Sequence, residues 1–150
     1  MIHLLLATAA IATATPLTPE QQNAVALASS SLDYCVMNST RDPALARQGP
    51  KECVGWGERD CLDTLQSDAP VNVELCVLAE RDAWIVKTDG FAEALAAAAP
   101  NARSAARIRA AHAAWVKKRD RAARPGVEGL RATSRLCADR YGYLAALAND

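Results

Sequence analysis

Five cysteines, at positions 35, 53, 61, 76 and 137, restrict this 150-residue chain more than any other feature of its sequence. If they are oxidised, only folds that bring pairs of them to about 6 Å between Cα atoms are open to it. Oxidation depends on the compartment, and the N-terminus bears on that. Met1-Ile2-His3 is followed by a short apolar run, Leu4 to Ile11. Ala10-Ile11-Ala12 and Ala12-Thr13-Ala14 then fit the small-x-small pattern that a signal peptidase reads. The run falls well short of the roughly 20 apolar residues of a permanent membrane span. Pro16 and Pro19 discourage its continuation, and no cysteine follows closely enough for a lipid anchor. Residues 1–14 are therefore expected to be a signal peptide, although only His3 and the α-amino group supply positive charge to it. The rest is expected in a periplasm or secreted, with no stable membrane anchor. Export would convert most of the cysteines to disulfides. Their odd number leaves at least one free or paired between chains, so the oligomeric state stays open and a disulfide dimer is permitted.

Runs with strand-like alternation are missing, aromatic residues make up only 5 % of the chain, and alanine dominates it. Apolar residues recur instead at three, four and seven positions, the helical spacing. The expected fold is all-α, a small disulfide-stapled domain of about four helices. Thr18-Pro19-Glu20-Gln21 opens the first with a capping box and a proline in the first turn. It should run to about Asn38, with Val25, Ala28, Leu32, Cys35 and Val36 on one face. Residues 39–57 read as a long loop rich in turn residues, and a short helical piece follows from about Arg59 to Leu65. Asp68-Ala69-Pro70 starts the next helix, which carries Val77, Trp84 and Phe91 seven apart and ends near Ala99, with Asp89-Gly90 as a possible kink. Further helices are expected over about 101–123, with Ile108, Ala111, Trp115 and Val116 inward, and over about 128–148. Residues 15–59 and 60–150 should pack together as one domain.

The balanced formal charge conceals an asymmetry. Residues 15–100 hold 6 Lys/Arg against 13 Asp/Glu, a net of −7, and residues 101–150 hold 11 against 4, a net of +7. Either the halves neutralise each other by packing, or one of the faces meets a charged partner.

Little in the chain points to chemistry. His112 lies between alanines on a helix, no Ser or Cys sits in a nucleophile motif, and glycine loops of the phosphate-binding type are missing. Glu58, Asp60 and Asp63 read as solvated surface carboxylates. One histidine after residue 14 and no C-x-x-C pair argue against a metal site. Lys117-Lys118-Arg119, with Arg121 and Arg124, shares its helix with core residues in an exported chain, which argues against nucleic acid. No enzyme, cofactor or metal is expected. Trp56, between two glycines in a Cys-bearing loop, has two roles open to it: a rigid anchor for a partner protein, or a lid folded onto the core.

Three segments together resemble a known family. Asp60-Cys61 is followed by Asn72-Val73-Glu74-Leu75-Cys76, and Ala110 to Asp120 resembles an A-Q-x-x-W-x-x-x-R-D helix through Trp115, Arg119 and Asp120. Leu136-Cys137 with Arg140 and Leu144 resembles that family's closing helix. In this order they are similar to the N-terminal domain of the LprI-type lysozyme inhibitors, small exported helical proteins, over about residues 60–148. The resemblance implies a Cys61–Cys76 bridge and a lysozyme-like muramidase as partner, bound by surface occlusion without catalysis. The rival function is an envelope interaction protein of the same fold. Trp115 is expected in the core, with Arg119 covering it or pairing with a carboxylate of the acidic half. Where the family continues R-D-x-x-C this chain has Ala123, so Cys137 lacks that partner. Cys53 is then the preferred partner of Cys137, which would pin the long loop to the last helix. A Cys35–Cys53 bridge with Cys137 free is the alternative.

Overall fold

The computed structural model describes residues 16–149, so the expected signal peptide lies outside the described residues. It contains six helical segments and, among those residues, no strand. They are α1 (Pro19–Ser39), α2 (Gly49–Glu52), α3 (Trp56–Leu65), α4 (Pro70–Ala97), α5 (Ala102–Ala122) and α6 (Gly126–Leu147). The chain is all-α, as its periodicity implies. α2 is a single turn inside the expected loop.

α1 begins as its capping box dictates. The Gln21 N–H donates to Thr18 Oγ1 at 3.2 Å and the Thr18 N–H to Gln21 Oε1 at 3.0 Å. Ala24, Ala28, Leu32, Cys35 and Val36 form its buried face, with Val25 at the margin. α4 is the central element and packs against α1, α3, α5 and α6. Its buried side chains include a line at every fourth position: Cys76, Glu80, Trp84, Thr88, Ala92 and Ala96. Val77 is buried beside that line, and Phe91 is half-buried and stacked on Tyr141 at 4.7 Å. Gly90 neither kinks nor interrupts the helix.

Trp84, with no exposed surface, is the largest buried side chain. It lies among Leu32, Cys35, Val36, Cys53, Cys137 and Ala138, with Tyr141 edge-on at 6.4 Å. A second, smaller cluster joins Ala24 and Ala28 to Cys61 and Cys76. There α1 and α3 meet backbone to backbone, since a Cβ at Gly57 would lie 2.7 Å from the Ala28 carbonyl oxygen.

α5 is attached differently. Arg119 is its one buried residue, Ile108, Trp115 and Val116 are half-buried, and Ala111, expected inward, is exposed. Ion pairs tie the helix to α4: Arg109 Nε lies 2.9 Å from Glu93 Oε2, and Arg119 Nη1 3.3 Å from Asp89 Oδ1. α6 meets α3 in the same way, with Arg131 Nε 3.0 Å from Glu58 Oε2. These pairs join the basic half of the chain to the acidic half, so part of the charge asymmetry is neutralised by packing.

Two disulfides are present. Cys61–Cys76 closes the α3–α4 turn, and the second is Cys35–Cys53 rather than Cys53–Cys137. The path of residues 40–52 explains this correction. The segment doubles back on the end of α1, so that a Cβ at Gly49 would lie 2.4 Å from the Ser39 carbonyl oxygen. That return places Cys53 beside Cys35. Cys137 is a free, buried thiol within the same apolar cluster. The bridges span 18 and 15 residues, and in the chain-entropy model each contributes about 3 kcal/mol.

Peptide mapping of the non-reduced protein should recover Cys35–Cys53 and Cys61–Cys76. Cys137 should be alkylated only after unfolding. Replacing both members of either bridge by serine should lower stability in urea by about 3 kcal/mol. Recovery of a Cys53–Cys137 peptide would contradict this fold.

Candidate functional site

The first place where polar groups are assembled with purpose is the start of α3. Sequence spacing puts that start near Arg59, but the helix begins at Trp56. Gly55 turns the chain at φ +91°, a conformation that favours glycine. The cap then comes from another helix. Glu80 on α4 accepts the Gly55 N–H with Oε1 and the Glu58 N–H with Oε2, each at 2.7 Å. Negative charge at a helix N-terminus is favourable in itself. Burial is the opposing factor: Glu80 is 2 % exposed, and desolvation raises its pKa above the ordinary carboxylate value, against the two N–H bonds that lower it. Glu58 in turn binds Arg131, which also binds Glu128.

Trp56 belongs to this corner. It is half-buried and packs against the Leu32–Trp84 cluster, with the Arg59 guanidinium 4.9 Å above its ring. Of the two roles open to it, this packing matches the lid.

The motif residues gather on the second assembly, between α4, α5 and α6. The Arg119 side chain is 9 % exposed and lies over the Trp115 ring at 5.3 Å, with Nε donating to Asp120 Oδ1 at 2.9 Å. Burial works against its charge, but the bond to Asp120 and the attraction of Asp89 and Asp120 outweigh it and raise its pKa. His112 stacks on the same tryptophan at 5.4 Å and places Nε2 2.9 Å from Asp89 Oδ1. Arg119 and His112 thus join α5 to Asp89 of α4, Trp115 packs against the core cluster, and Asp120 binds Arg119 within α5. The nearby Cys137 thiol is pushed up to about 11, chiefly by burial, with Asp89 adding and Arg119 opposing. It is a neutral thiol at physiological pH, and a thiol is nucleophilic only as its thiolate.

Beside these residues a pocket of about 260 Å³ opens between α5, α6 and residues 40–48, lined by Arg47, Lys118, Arg119, Arg140, Trp115 and Tyr143 among others. The Arg140 guanidinium lies 5.1 Å from the Tyr143 ring and 5.8 Å from that of Trp115, and Arg47 lies 5.3 Å from Tyr143. Burial lowers the Arg140 pKa from the ordinary arginine value. A more apolar groove of about 570 Å³, lined by Val54, Ala132 and Leu136 with Lys51, Arg135 and Asp139, adjoins it. Sequence reasoning did not single out Glu80 or Arg47. The four-residue spacing of Glu80 from Cys76 and Trp84 was the available signal for the first. For Arg47, within an irregular loop, there was none.

Among the described residues no three His, Cys, Asp or Glu side chains are grouped so as to hold a metal ion. No helix among them is long and apolar enough to cross a membrane. The two disulfides fit an oxidising compartment. Comparison of the chain with protein-family models, with curated proteins and with solved structures produced no match.

Glu80→Gln should leave one of the two N–H donors without an acceptor and Glu80→Ala both, each at about 1–3 kcal/mol in urea denaturation. The sign of the pH effect follows from the raised folded-state pKa. Between the ordinary carboxylate range and the raised value the folded state holds more protons than the unfolded one, so stability falls as pH rises. The advantage of the wild type over Glu80→Gln should therefore shrink as pH rises through that window.

Proposed function

We propose that this chain is an exported binding protein, periplasmic or secreted, that inhibits a lysozyme-type muramidase by covering its cleft. The observation that carries the reading is a stapled acidic corner. Asp63, Asp68 and Glu74 are exposed around the α3–α4 turn, and none enters an ion pair among the described residues. The Cys61–Cys76 bridge holds that turn in one conformation. Rigid, unconsumed negative charge suits a cationic enzyme, because complementary charge speeds encounter and a preformed surface loses little entropy on binding. The resemblance of the segments around Cys61, Trp115 and Cys137 to the LprI-type inhibitors points the same way. Trp115, Arg119 and Asp120 then serve the scaffold rather than the contact, and no catalytic step is needed.

The test is the lysis of a peptidoglycan suspension by lysozymes of several classes, with and without the purified protein. Inhibition at micromolar concentration is expected for a cationic enzyme, weakening as salt rises. Replacing Asp63, Asp68 and Glu74 together by lysine should slow association about tenfold at low salt, with the fold intact. No inhibition of any class would remove the proposal. A stable envelope partner recovered in its place would favour a non-inhibitory interaction protein.

A further inference from the structure

The pocket at the α5–α6 end is lined mainly by the basic half of the chain, with Arg47 from the other half, and shares no residue with the acidic corner. Its cations are unevenly provided for. Arg119 is paired with Asp89 and Asp120. Arg47, Lys118 and Arg140 enter no ion pair among the described residues. Asp139 is the one carboxylate in the lining, and it binds Lys51 Nζ at 2.9 Å toward the neighbouring groove. Arg140 is the most exposing case. Its Nε is buried and donates to no acceptor among the described residues. Its guanidinium instead lies near the rings of Tyr143 and Trp115. Those rings stabilise the charge but do not satisfy that N–H donor. A buried N–H without an acceptor is costly, and the cavity onto which the rest of the side chain opens has room for several waters or one small ion, at about 30 Å³ per water.

We propose that this pocket is a binding site for a compact oxyanion, a phosphate or carboxylate group, held by Arg140 with Arg47 and Lys118. The guanidinium of Arg140 would donate to the anion. Arg47, from residues 40–48, and Lys118, from α5, would supply further charge. Trp115 and Tyr143 form the apolar part of the wall, and bonds from charged donors to an anion are the strong ones. The inference stands apart from the muramidase reading, which uses another face.

Inorganic phosphate, and separately acetate, would be titrated at constant ionic strength into the full ¹⁵N-labelled chain with both disulfides formed. Saturable shifts are expected at the Arg140 Nε–H and Trp115 Nε1–H resonances, while Trp84 Nε1–H stays in place. The stronger of the two anions identifies the group preferred. Arg140→Met should weaken binding about tenfold or more, as loss of a charge-assisted hydrogen bond implies. If that variant fails to fold, Arg47→Ala and Lys118→Ala, both at exposed positions, should each weaken binding about threefold. Shifts that stay linear, that chloride reproduces, or that persist undiminished in the folded variants would overturn the proposal.

Discussion

The structure depends on a carboxylate in the wrong place by ordinary rules. Glu80 lies inside the molecule, two residues of a different helix donate their N–H groups to it, and the chain between them and Glu80 is more than twenty residues long. A buried charge is tolerated only when paired and bonded. Here the start of α3 supplies both conditions, through its free N–H groups and the positive end of its dipole. The arrangement fixes where α3 begins, and several other features follow from that beginning. Trp56 is placed as the first residue of the helix, over the Trp84 cluster. Gly57 is placed against Ala28. Glu58 is turned to Arg131 of α6. One interaction thus sets the positions of three helices around α4.

The composition makes such devices necessary. Much of the buried surface is alanine and half-cystine, with Trp84 as the single large anchor. Small side chains let helices approach closely but bury little apolar area each. Cross-links and specific polar contacts make up part of the difference. They concentrate between residues 35 and 80, where the chain changes direction most often and has the shortest helices.

The parts of the fold that could be read from the sequence are those governed by local rules. The capping box at Thr18, the helical faces of α1 and α4 and the packing role of Trp115 and Arg119 all follow from spacing along one helix. The start of α3 could not be read in this way, because its cap comes from a residue distant in sequence. The second disulfide turned on how residues 40–52 return to the end of α1, and an irregular segment carries no period from which to infer a path. The preference for Cys53–Cys137 came from the expectation that the long loop lies on the last helix. Ala111 was placed inward because α5 was treated as a core helix, whereas charge holds most of it in place.

That attachment has a kinetic side. α5 is rich in alanine and helical by intrinsic preference, so it can remain a helix when it leaves its neighbours. Its ion pairs to α4 are the exposed Arg109–Glu93 pair, which weakens as the Debye length shortens, and the buried Arg119 with Asp89, which is screened much less. Local opening is therefore expected at the Arg109 end of this helix before its Arg119 end. Arg119 stands beside Cys137, the only free thiol among the described residues. The charge around that buried thiol is thus set by how firmly one helix is held.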